Sequence, residues 1–94
     1  MAERNTMNKI RRKELASIVA KLEALDALRL EINEMLESVR DEEQEALDNM
    51  PESLQDGEKG QQMQEYIDTM ADVLDELENL DIEGFMDQLQ EIIG

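Results

Sequence analysis

The sequence predicts an all-α fold: a long antiparallel helical hairpin with a kinked or short third helix at the C-terminus, forming a dimeric bundle. Three observations lead there. Hydrophobic residues make up 40% of the 94 and are mostly Leu, Ile, Met, Val and Ala, with Tyr66 and Phe85 the only aromatics, a palette that suits helix packing better than sheets. Four Gly and one Pro leave room for few chain breaks. The apolar residues also recur with the three-four alternation that draws a stripe along one face of a helix. A chain of this length makes one helical domain, residues 1–94, and buries only about 60–65% of its unfolded surface, so its core has little to spare.

The first helix is expected over about residues 8–48. Its stripe is Leu15, Ile18, Leu22, Leu25, Ile32, Leu36 and Val39, with Arg29 at the seam position between Leu25 and Ile32. An arginine there either snorkels from the edge of the seam or makes a register-setting polar contact. Leu28 and Leu30 stand off the stripe, and an apolar face so widened calls for a second helical neighbour or a subunit interface. Met50 precedes Pro51 and is pushed toward extended geometry, which ends the helix.

Residues 49–58 form the connector. Pro51 suits the first position of a short turn capped by Asn49 or Met50, and Leu54 is the apolar residue that turn can bury. On this reading Leu47, Met50 and Leu54 close the end of the hairpin. The second helix, about residues 59–80, carries Met63, Ile67, Met70, Leu74 and Leu77, with Tyr66, Val73 and Leu80 beside them. Past Leu80 the phase shifts to Ile82, Phe85, Leu89, Ile92 and Ile93. Asp81 is a candidate N-cap, so about residues 82–93 read as a kink or a third helix, with a continuous helix as the competing reading. A lone hairpin leaves Leu28, Leu30, Met35, Met86 and Ile93 uncovered. Self-association into a homodimer would bury them, against a repulsion between acidic subunits that salt screens.

Charge is distributed unevenly. Residues 1–40 hold seven acids and eight bases, whereas from Asp41 onward eighteen acids face the single base Lys59, for a net charge of −16. Such asymmetry speaks to partners and not to fold. The candidate binding surface comprises Asp41, Glu42, Glu45, Asp48, Glu52, Asp68, Asp72, Asp75 and Glu76. It reads as a solvated face that keeps the chain soluble, as an adaptor stripe for a basic partner, or as a mimic of nucleic acid, whose duplex carries one charge per about 1.7 Å of axis. Arg11, Arg12, Lys13 and Arg29 are the candidate anion-binding residues, as in a sponge for a nucleotide signal. The competing reading neutralises the N-terminal bases with Asp87 and Glu91. Direct nucleic-acid binding is not expected, because the cluster is small, lacks aromatics and sits in a field that repels phosphate.

There is no cysteine and no histidine, which removes disulfides, thiolate nucleophiles, the usual zinc sites and His-based catalysis. An EF-hand register from Asp41 or Asp48 places Ala46 or Ser53 where glycine is required. Gly57 and Gly60 lie in Asp56-Gly57-Glu58-Lys59-Gly60, whose acids would repel a phosphate. The expectation is a binding protein with no enzymatic activity, no metal and no cofactor. No stretch reaches the roughly 20 apolar residues of a membrane span, and no signal-peptide pattern follows the basic N-terminus, so a cytoplasmic location is expected.

The segment Asp41-Glu42-Glu43-Gln44-Glu45-Ala46-Leu47-Asp48-Asn49-Met50-Pro51-Glu52-Ser53-Leu54-Gln55 resembles small acidic proteins of bacterial phages and mobile elements. These look like helical hairpins joined by the same Asp-Asn-Met-Pro-Glu-Ser-Leu-Gln connection, with a phenylalanine more usual where Leu47 stands. The resemblance covers the connector and the acidic, helical character of its flanks, and it carries no established activity. It implies a setting in a host cell, where the partner would be a basic host protein such as a nucleic-acid-binding enzyme or a defence component.

Overall fold

The computed structural model describes residues 8–94; Arg4, at the basic end, lies outside them. Four helices follow one another: α1 (Lys9–Asp48), α2 (Glu52–Gln55), α3 (Glu58–Glu78) and α4 (Ile82–Ile93). No strand occurs among the described residues. From Lys9 to Asp48 there is neither Gly nor Pro, so nothing interrupts the backbone ladder of α1. Asn8 caps its start, its Oδ1 accepting from the Arg11 N–H at 2.9 Å. The chain divides into two units, one of residues 8–28 with 81–94 and one of Arg29–Leu80.

In the second unit α1 and α3 run antiparallel. Leu47, near the end of α1, packs with Met63 and Ile67 near the start of α3, and Met50 lies against this cluster. Toward the other end, the Arg29 guanidinium donates to the Leu77 carbonyl at 3.2 Å. That carbonyl belongs to the last turn of α3, where carbonyls lack intrahelical partners and a cation is favoured by the helix dipole. Arg29 therefore makes the polar contact of the two readings given above.

The connector is a shaped turn. The Pro51 carbonyl accepts from Leu54 at 2.8 Å and Gln55 at 3.1 Å, and the Gln55 side-chain amide donates to the carbonyls of Met50 at 2.9 Å and Asp48 at 3.4 Å. One glutamine thus serves the last carbonyl of α1 and that of Met50 just beyond it. Pro51 is the N-cap of α2 with ψ 141°, one position earlier than the sequence suggests, because its extended ψ turns its carbonyl onto α2 without making it helical. Leu54 is 54% exposed and does not close the hairpin; Leu47 and Met50 do. Gly60 is buried where α2 and α3 cross.

In the first unit the break before α4 is complete, since residues 79–81 are not helical. Asp81 Oδ1 accepts from the Gly84 N–H at 2.9 Å, and Ile82 behind it is 1% exposed. Leu15, Val19 and Leu22 of α1 and Met86, Leu89 and Ile93 of α4 are half-buried. Met86 and Ile93 are therefore better covered than a lone hairpin predicts. Asp81→Ala is expected to cost about 1 kcal/mol, the usual worth of an N-cap, and Asp81→Asn a few tenths; thermal unfolding of the two variants checks this.

The stripe of α1 is where expectation and structure part. Ile18, Leu25, Ile32 and Val39 are each 46–52% exposed. Inward positions in the second unit fall instead at Arg29, Asn33, Leu36, Arg40, Glu43, Gln44 and Leu47. Apolar residues occupy two adjacent flanks of α1, and α3 covers the more polar of the two.

Candidate acidic binding face

Each residue turns an α-helix by about 100°, so the residues just after and just before an inward position stand on opposite flanks. On α1 the residues that follow inward Asn33, Leu36, Arg40 and Leu47 are Glu34, Glu37, Asp41 and Asp48. On α3 those that follow inward Ile67, Ala71 and Leu74 are Asp68, Asp72 and Asp75. Because the two helices are antiparallel, these same-sense flanks fall on one side of the pair. Seven exposed carboxylates thereby line one side of the hairpin. The same geometry brings Glu34, Glu37 and Glu78 to one groove beside Arg29 and Asn33.

Polar neighbours hold several of these acids in place. Gln44 donates to Asp48 Oδ1 at 3.0 Å and Gln64 to Asp68 Oδ1 at 3.0 Å, each one turn earlier on its helix. Arg40 holds Asp41 Oδ1 through two guanidinium nitrogens, at 3.0 and 3.2 Å. An open groove lined by Gln44, Asp48, Gln55, Gly60, Gln61 and Gln64 continues this side to the connector. Four charges on residues 34–48 of α1 and three on the antiparallel α3 beside it, at about 1.5 Å per residue, give about one charge per 3 Å of axis. A single DNA strand carries one per about 3.4 Å.

Of the acids singled out in the sequence, Asp41, Asp48, Asp68, Asp72 and Asp75 share this side. Glu45, which follows half-buried Gln44 and lies one turn after Asp41, adjoins this side, whereas Glu42 and Glu76 are exposed but turned further round their helices, and Glu52 lies on the short α2. Glu34 and Glu37 belong to the face and escaped the sequence reading, because counting charge by segment places them in the balanced half. The useful signal was the offset of one residue from the inward stripe. Among the described residues no three carboxylates converge closely enough to hold a metal ion.

The candidate anion-binding residues divide between the two units. Arg29 belongs to the second unit, where it is engaged with the end of α3, and the other three belong to the first. Arg11 and Lys13 are exposed, while Arg12 is half-buried with its Nε enclosed. Asp87 and Glu91 form no ion pair with these bases among the described residues. No helix among the described residues is long and apolar enough to cross a membrane.

No family model matches the chain, and neither curated proteins nor solved structures give a match.

Proposed function

We propose that the chain is a non-catalytic binding protein that presents Glu34, Glu37, Asp41, Asp48, Asp68, Asp72 and Asp75 as a linear, nucleic-acid-like array to a basic, nucleic-acid-binding host protein. The setting is that of a phage or mobile-element antagonist. The observation that supports this reading is the sorting of charge by flank across two helices. Acids that only keep a protein soluble need no common register, whereas these lie one residue beyond the inward stripe on both helices, with glutamine and arginine partners that limit their rotation.

The reading predicts competition with nucleic acid. Immobilised chain should capture a basic protein from bacterial lysate, and duplex DNA should displace it. Affinity should fall about tenfold or more between 50 and 200 mM salt, as for contacts built on many exposed charges. Capture that is indifferent to salt and to DNA, or no capture at low salt, would count against the proposal.

A further inference from the structure

The other flank of the hairpin has the opposite character. The residues that precede inward positions are Ile32, Met35 and Val39 on α1 and Tyr66 and Val73 on α3, with Leu80 one heptad further on. All six are exposed, from 39% at Val73 to 65% at Met35. By the antiparallel geometry they too share one side of the second unit, opposite the acids. Single exposed apolar residues are ordinary, but five in register on two adjacent helices, with Leu80 just past the end of α3, are not.

We infer that this apolar side is where a second copy of the chain docks. Charge selects the occupant. At −16 per chain, two copies repel one another through nearly every approach, and close contact requires a surface from which acids are withdrawn. This side meets that condition: Ile32, Met35, Val39, Gln62, Tyr66 and Val73 carry no charge, and the acids Glu31, Glu42 and Glu76 stand at its margins. A strongly basic partner, by contrast, gains nothing from it.

Spacing and area agree with that choice. Ile32 and Val39 on α1, and Tyr66 and Val73 on α3, recur every seventh residue, the repeat that lets side chains of one helix enter holes on another. The six side chains expose on the order of 500 Å² per copy, so pairing with a polar rim reaches the lower end of the roughly 1,200–2,000 Å² typical of stable interfaces. A two-fold arrangement uses the same patch on both copies and yields four packed helices. It leaves both acidic sides facing outward, so the interface and the acidic face do not compete. The inference does not depend on the proposed function.

Light scattering of the full chain tests it. At about 100 µM, with salt high enough to shorten the Debye length to a few ångströms, the measured mass should be twice the 10.8 kDa of one chain. The double variant Val39→Glu with Val73→Glu should be monomeric under the same conditions with its helical content kept. Ser38→Glu with Ser53→Glu, exposed positions outside the patch, adds the same charge and should stay dimeric. If the glutamates on the patch cost the fold, Met35→Gln with Tyr66→Gln gives the same readout without added charge, and monomer is again expected. A monomeric parent chain, a patch variant as dimeric as the parent, or equal loss in the Ser38 and Ser53 control would overturn the inference.

Discussion

Gly60→Ala should destabilise the hairpin by about 2–4 kcal/mol, although alanine is the better helix former by about 1 kcal/mol. Gly60 lies inside the first turn of α3, where propensity alone would make the substitution stabilising. A Cβ there would come within 2.1 Å of the Gln55 carbonyl oxygen, 2.6 Å of its carbon and 2.8 Å of its Cα. These are backbone atoms of α2 and cannot rotate away. Relief requires α2 and α3 to separate, and that withdraws Gln55 from the Met50 and Asp48 carbonyls it serves. Denaturant unfolding reads the result directly as a lower midpoint at unchanged slope. A raised midpoint would mean that helix propensity outweighs the close approach of the two backbones.

Ile82→Ala should cost about 2–5 kcal/mol, the range for removing a buried aliphatic side chain and leaving a cavity. Ile82 is 1% exposed, the most completely buried side chain among the described residues. It is also the first residue of α4, directly after the Asp81 cap, so the loss falls where the helix begins. For a domain whose total stability is about 5–10 kcal/mol, that is a large fraction. Ile82→Val, which removes one methylene, should cost about 1 kcal/mol. Hydrogen exchange should show α4 amides losing protection before those of α3 in the alanine variant. A loss below about 0.5 kcal/mol would show that the site collapses around the smaller side chain.

Much of the fold was legible because its signals are local. Pro51 after Met50 ends α1, and Asp81 before an apolar run starts α4; both act through neighbours in sequence. The α3 stripe was also legible, since Met63, Ile67 and Leu74 are its main apolar choice and all three are buried. The facing of α1 was not. Two of its flanks could serve as a seam, and the choice rests with α3, whose end draws Arg29 inward through the Leu77 carbonyl. The polar flank is covered and the apolar one left open. The acidic face followed the same pattern: Asp68, Asp72 and Asp75 could be seen as a helical stripe, but joining them to Glu34 and Glu37 required knowing which side of α1 meets α3. Leu54 shows a smaller limit, because a four-residue helix turns its side chain outward while Gln55, a polar residue, does the closing.

Arrangement and total charge are separated by one comparison. Asp41→Asn, Asp68→Asn and Asp72→Asn together remove three charges from the acidic side; Glu31→Gln, Glu42→Gln and Glu76→Gln remove three from elsewhere on the same helices. Binding of both triple variants to the captured basic protein should be measured at a single salt concentration near physiological. The first variant should bind at least about tenfold more weakly than the parent, and the second should stay within about twofold. Equal losses in the two would show that only net charge matters and would contradict a binding face built by the register of α1 and α3.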